Sequence, residues 1–328
     1  MTAVHPLPPA AQDFRERVVG DALRAAAAVT PQWLRIAGRD VRVDVADPEV
    51  GDALLPALRH HLGQPGAPIT ARLVVWSTPL GPFPWGPAHL GRGGAVAGLS
   101  HGPVRACAAA DETSLVLWDS ERRLACCWFA GIHGVTRWDR AAPLRTALHF
   151  ALTDRRHQLI HAAAIGSAGR AALLAGPGGS GKSTTTLACL EAGLQVVGDD
   201  YSVIELDNGA ARTWNLYRSI KVGERGPAGR DDRRTLIVGE DLPGAVTDCL
   251  DVVAILLPRV GDAADSTLTP ASPAEALRAL APSTLLQAPE EDAPSLGLLA
   301  ELARTAPAFA LTLGADRGVP TIADLVAA

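Results

Sequence analysis

The sequence predicts an α/β protein in two parts: an α+β domain over residues 1–155, then an α/β domain over residues 156–328. Three observations carry that reading. Gly176 to Thr184 reads GPGGSGKST, which fits the phosphate-loop pattern G-x-x-x-x-G-K-[ST]. The run before it, Arg170 to Ala175, is short and apolar enough for a buried strand, and Lys182 to Ala192 reads as a helix closed by Gly193. A second apolar run, Leu194 to Gly198, leads straight into Asp199-Asp200. The bare loop pattern arises by chance on the order of once in a hundred chains of this length, so the strand and helix around it matter. Strand, glycine loop, helix is the context in which backbone N–H groups and a helix N-terminus face phosphate.

The first part is read in chain order. Arg15–Ala28 is expected to be a helix, and Trp33–Val45 alternates around Gly38 like a hairpin. Glu49–Leu62 reads as helical and Ala71–Ser77 as a strand, while Thr78–Gly102, rich in Gly and Pro, reads as a long loop. Val104–Ala109, Ser114–Trp118 and Leu124–Ala130 form a meander, and Arg140–Arg155 is expected to be one helix leading to the second domain. Six of seven tryptophans precede that boundary, as packed core or as a stacking surface for a partner.

Composition excludes several classes. A hydrophobic fraction of 48% with 20% charged residues is that of a globular chain. The net charge of −5 and the lack of a basic patch argue against a nucleic-acid binder. No apolar run approaches the roughly 20 residues of a membrane span. The N-terminus lacks the charged-then-apolar order of a signal peptide. The five cysteines lack C-x-x-C spacing and read as small buried hydrophobes in a reducing cytosol, so the expected location is cytoplasmic. A homo-oligomer is compatible with all of this.

The second part carries the chemistry. Leu159–Ile165 and Arg170–Ala175 read as an antiparallel hairpin in which His161 pairs with Leu174, beside the mouth of the loop. A helix of about eleven residues climbs roughly 16 Å, and Leu194–Gly198 returns a similar distance at about 3.3 Å per residue. Asp199-Asp200 then falls on the loop's edge of a parallel sheet, where open α/β sheets bind ligands. In the loop, Gly176, Pro177, Gly178, Gly179, Ser180 and Gly181 would wrap phosphates. Lys182 would reach the β- and γ-phosphates, Ser183 would ligate Mg²⁺, and Thr184 would complete the cradle. Of two adjacent carboxylates, one suits holding Mg²⁺ and the other taking a proton from an attacking hydroxyl; alternatively Asp199 caps the turn and Asp200 acts alone. His161 reads either as a core histidine or as a group at the γ-phosphate.

Only two lysines occur among the 30 basic residues, Lys182 and Lys221. A chain that uses arginine almost everywhere keeps lysine where a compact ammonium is wanted, which marks Lys221 as a functional candidate. Arg218 lies three residues before it, and on a helix the two would share a face as a clamp for phosphate. Arg259, after an expected strand Asp251–Leu257, is a further candidate at the same edge. Ser272-Pro273-Ala274-Glu275 is a capping box opening a helix to Leu280, followed by a helix Ser295–Ala306 and a strand Ala308–Leu313.

LIHAAAIG, GPGGSGKSTTTLACLEAG and VVGDDYSVIEL, in that order and spacing, resemble the nucleotide core of the HPr kinase/phosphorylase group, which shares its fold with the ATP-dependent phosphoenolpyruvate carboxykinases. NLYRSIKV and PAFALTLGADRGVP resemble HPr-kinase-like proteins of peptide-modification clusters, such as lasso-peptide tailoring kinases. The resemblance implies a phosphate-loop kinase core with a separate N-terminal domain. It implies ATP·Mg²⁺ at Gly176–Thr184, a general base at Asp199, a metal ligand at Asp200 beside Ser183, and His161 near the γ-phosphate. The implied reaction is transfer of the γ-phosphoryl group to a hydroxyl, a serine of a peptide or small protein, with residues 1–155 helping to recognise it. A small-molecule kinase on the same core and a nucleotide-gated regulatory module are the alternatives.

Overall fold

The computed structural model describes residues 9–66, 68–223, 233–285 and 293–328. It is a mixed α/β chain that divides into two compact units, the first ending at Leu152 and the second beginning at Thr153. The expected boundary at 155/156 lies a few residues further on.

In the first unit, helix α1 (Pro9–Ala25) places Phe14, Val18 and Ala22 on one buried stripe, the spacing that brings side chains to one face. The strands are β1 (Gln32–Ile36) and β2 (Arg39–Val45), then, after α2 (Pro48–Leu54), β3 (Ile69–Trp76), β4 (Val104–Ala108), β5 (Ser114–Asp119) and β6 (Leu124–Phe129). They form one sheet in the order β1-β2-β3-β6-β5-β4. Ala37 and Gly38, with φ of 50° and 70°, make the β1–β2 turn, the positive-φ pair that a two-residue hairpin requires.

One expectation is corrected here. Arg140–Arg155 is not one helix but α3 (Arg137–Ala141) and α4 (Arg145–Leu152). Pro143 lacks an N–H and Leu144 has φ of 54°, so a continuous helix is broken between them. Thr78–Gly102 is irregular as expected, and its apolar residues join the core. Leu80, Phe83, Trp85, Val96 and Leu99 are buried in the same cluster as Phe14 and Trp128, and Trp85 meets the Phe14 ring edge-on at 5.1 Å. Trp76, Trp85, Trp118 and Trp128 are all buried, so most of the N-terminal tryptophans are core and not a stacking surface.

The cysteines are free, and burial pushes the Cys126 and Cys189 thiols up to about 12, which keeps them unreactive. His149 is buried on α4, and burial, with Arg145 and Arg105 nearby, lowers its pKa from 6.5 to about 4. The unfolded chain therefore takes up a proton that the folded chain refuses, and stability falls as pH drops from 6.5 towards 4. The full shift corresponds to about 3 kcal/mol at 1.36 kcal/mol per unit. Urea unfolding at pH 7 and pH 4.5 should show His149→Gln losing less stability than wild type on acidification; an equal loss would mean that His149 does not contribute.

The second unit contains β7 (His157–Ile160), β8 (Ala163–Ser167), β9 (Arg170–Leu174), α5 (Lys182–Glu191), β10 (Gln195–Gly198), β11 (Ser202–Asp207), β12 (Ala210–Asn215), β13 (Ser219–Val222), β14 (Arg234–Ile237), β15 (Cys249–Val260), β16 (Thr267–Ala271), α6 (Pro273–Leu285), α7 (Ala293–Thr305), β17 (Ala308–Leu313) and α8 (Val319–Ala327). A nine-stranded sheet runs β10-β8-β9-β15-β12-β11-β7, with β17 beside β15 and β16 beside β17; β13 and β14 pair separately. The sheet is mixed, not parallel as expected. β15 is parallel to β9 and β17 and antiparallel to β12, and antiparallel β8 lies between β9 and β10. β9 and β10 still run the same way, so their C-terminal ends share an edge.

The sheet is also rolled. β10 and β11 are five strand spacings apart on the path, about 24 Å if flat at roughly 4.8 Å per strand. Only Asp199, Asp200 and Tyr201 join them, and that link spans at most about 14 Å. The curl brings β10 back to the β12–β15 connection, where Thr247 N donates to Val196 O at 2.9 Å.

LIHAAAI is two strands and not one: β7 pairs with β11, β8 with β9, and the chain bends at His161. The β8–β9 hairpin pairs Ala163 with Leu174, and its turn is Ala168-Gly169, so His161 is not the partner of Leu174. β15 continues through Pro258 instead of ending there. Ile255 N donates to Pro307 O on the β17 side, so by alternation the missing N–H of Pro258 faces the β9 side, where β9 has already ended. The Ser272/Glu275 capping box forms as expected, but α6 runs on to Leu285. α8 had no expectation. Among the described residues no helix is long and apolar enough to cross a membrane.

Candidate functional site

The segment between β9 and α5 needs its glycines. Gly179 and Gly181 have φ of 90° and 102°, and a Cβ on Gly181 would stand 2.4 Å from Leu313 Cδ1. A Cβ on Gly176 would stand 3.1 Å from Ser180 Oγ. Pro177, Gly178, Gly179 and Thr184 are exposed, while Ser180 and Ser183 are half-buried. The loop therefore presents backbone to solvent at the N-terminus of α5, where the helix dipole favours an anion. Lys182 is 6% exposed and folds back over the loop, its Nζ donating to Gly176 O at 2.7 Å and to Pro177 O at 3.2 Å.

Asp199 and Asp200 occupy the link from β10 to β11. The link is tight: a Cβ on Gly198 would lie 2.7 Å from Tyr201 O. Asp199 is 2% exposed; its Oδ2 accepts the Lys221 backbone N–H at 3.2 Å, its Oδ1 is buried with no hydrogen-bond partner among the described residues, and the Ser183 hydroxyl lies near enough to favour its charged form. Asp200 accepts the Lys221 ammonium, and its Oδ1 is 3.7 Å from His161 Nε2. The loop serine, both aspartates, the scarce lysine and His161 thus meet in one place.

The two carboxyls are driven apart. Burial, then the adjacent Asp200 charge, raises the Asp199 pKa to about 7. Burial also opposes ionisation of Asp200, but the nearby His161 ring and the Lys221 ammonium outweigh it and hold that carboxyl below the usual range. Burial lowers the His161 pKa, with Asp200 offsetting part of the effect. His161 sits in the bend between β7 and β8, its backbone N donating to Thr284 Oγ1 at 3.1 Å and its ring 5.2 Å from that of Tyr201.

The expected Arg218–Lys221 clamp is not helical. Lys221 lies on strand β13, paired Ser219 to Ile237 and Lys221 to Thr235, and Arg218 extends it by one residue, its carbonyl accepting from Val238 N at 2.8 Å; residues three apart on extended chain face opposite ways. Arg218 forms an ion pair with Glu240 and does not converge with Lys221. Arg259 is exposed and donates to Thr312 Oγ1 at 2.9 Å.

The Mg²⁺ reading fits only with help from phosphate. Among the described residues no group of three or more His, Cys, Asp or Glu could hold a metal ion. Mg²⁺ commonly takes one or two carboxylates plus substrate phosphates, and Ser183 with Asp200 would be such a partial set. Lys221 would share Asp200 with it.

No family model matches the chain, and no curated protein does. Among solved structures it is similar to the HPr(Ser) kinase/phosphatase from Coxiella burnetii, at 20% identity and a TM-score of 0.25, over 32% of this chain and 66% of that one. The relation is distant. The match spans just under two thirds of that protein's length and leaves the chemistry of this chain to its own residues.

Two participants had no sequence expectation. Gly198 stands in VVGDDY, where a glycine before paired aspartates signals a tight turn. Asn215, buried at the end of β12, gives no local signal at all.

Proposed function

We propose that the chain is an ATP-dependent phosphotransferase of the cytoplasm that places the γ-phosphoryl group on a hydroxyl, that of a serine in a peptide or small protein. The observation that carries this reading is the convergence of Ser183, next to Lys182 on the loop, with Asp199, Asp200 and Lys221. Gly176–Thr184 and Lys182 would hold the triphosphate. Ser183 and Asp200 would hold Mg²⁺, which when bound screens the charge on the phosphate oxygens. Asp199 accepts the proton as the acceptor oxygen bonds to the γ-phosphorus and the bond to the bridging oxygen of ADP breaks. Lys221 balances Asp200 and presents its cation beside the transferred group. His161 holds the other face of Asp200, and residues 1–155 contribute to acceptor recognition.

The test is transfer of labelled γ-phosphate from ATP·Mg²⁺ to serine-containing peptides and, in parallel, to small hydroxyl metabolites. Labelling confined to metabolites would replace the peptide reading by a small-molecule kinase. The ion pair between Lys221 and Asp200 favours one other reading, a nucleotide-gated module in which Asp200 is never freed. Nucleotide binding without transfer to any acceptor would select it. Lys221→Arg should lose most activity, at least about tenfold, because a planar fork cannot replace a point charge while the backbone N–H stays on Asp199. Wild-type turnover in that variant would remove Lys221 from the site.

A further inference from the structure

Asn215 is 1% exposed and lies at the point where three chain segments meet. Its side-chain amide donates to Val197 O, two residues before Asp199, and to Tyr217 O at 3.2 Å, on the segment leading to Lys221. Its backbone pairs with Ser202, two residues after Asp200, and its N–H donates to Asp248 O at 2.8 Å. An asparagine in an apolar interior costs more than a leucine unless its donors are used. Here both donor contacts reach backbone carbonyls, on segments that no ladder among the described residues joins to each other.

We infer that Asn215 is a positioning residue for the transfer site: it ties the strand entering the Asp199–Asp200 turn to the segment bearing Lys221, and so sets the distance between the carboxylates and the lysine. The inference rests on the phosphotransfer reading of those residues. Ser202 pairing fixes the turn's exit, the Lys221 N–H to Asp199 closes the far side, and the Asn215 side chain joins the entry strand to the lysine segment directly. Displacements of about 1 Å at a reacting centre cost on the order of 10²-fold in rate, so a loosened tie should appear in transfer before it appears in nucleotide binding, whose loop lies on β9 and α5.

The experiment uses the full chain with Asn215→Leu, of similar volume without donors, and Asn215→Thr, which keeps one donor and secures a folded variant. Transfer in Asn215→Leu should fall about 10- to 100-fold, with Asn215→Thr between it and wild type and ATP·Mg²⁺ affinity changed less than about threefold. Combined with Asp199→Asn, Asn215→Leu should add little further loss, since it acts through a base already removed. Amide exchange should quicken at Asp199–Tyr201 and at the Lys221 N–H while that of α5 is unchanged. Multiplicative losses in the double variant, or a parallel loss of affinity and α5 protection, would make Asn215 a general structural residue and overturn the inference. Wild-type transfer and exchange in both variants would overturn it too. Asp199→Asn alone at the wild-type rate would instead refute the base assignment, whatever Asn215 does.

Discussion

Asp199→Asn is expected to slow single-turnover transfer by about 10²–10⁴-fold, the usual contribution of a general base, with ATP·Mg²⁺ affinity nearly unchanged. The carboxylate is buried and anchored by the Lys221 N–H, so the amide fits the same space but cannot take a proton. Asp200→Asn should fail differently. It removes the partner of the Lys221 ammonium and the anion beside His161, weakening Mg²⁺ binding, so part of its lost rate should return at high Mg²⁺. Affinity by calorimetry and rate by rapid quench, measured for both variants, separate the roles. Transfer at the wild-type rate in Asp199→Asn would leave no base at that position.

Lys182→Ala should abolish measurable transfer and weaken ATP·Mg²⁺ binding. A charge-assisted hydrogen bond contributes about 1.5–3 kcal/mol, or roughly 10- to 150-fold in affinity, and loss of a transition-state charge partner commonly costs a further 10²–10³ in rate. Its Nζ is held by the Gly176 and Pro177 carbonyls, so the ammonium is already aimed across the loop. Because Lys182 is buried, alanine also removes packing; Lys182→Met keeps the stem and should show the same loss of transfer in a chain that still unfolds cooperatively on heating. Affinity and transfer unchanged in both variants would end the phosphate-loop assignment.

What the chain alone determined is whatever a few neighbouring residues decide. Gly38 and Asn208-Gly209 mark hairpin turns because glycine and asparagine accept positive φ, and Ser272 with Glu275 starts a helix by capping its own first turn. The glycine loop between strand and helix was legible for the same reason, as were Lys182, Ser183 and the two aspartates, whose chemistry is carried by residue type and spacing. Lys221 was legible by a different route, as one of only two lysines.

Tertiary structure decided the rest. Arg218 and Lys221 have helical spacing, yet their segment is a strand because β14, more than ten residues on, supplies a pairing partner that no local window contains. Turn matching alone places His161 within a hairpin, whereas the chain bends there because β7 is drawn off to β11. The ion pair of Lys221 with Asp200 and the hold of Asn215 on Val197 each depend on the roll of the sheet, which the three-residue link from β10 to β11 enforces. Turn and capping preferences act over a few residues, but which strand pairs with which, and which polar group is left inside to hold them, is settled by burial and backbone pairing between distant parts of the chain.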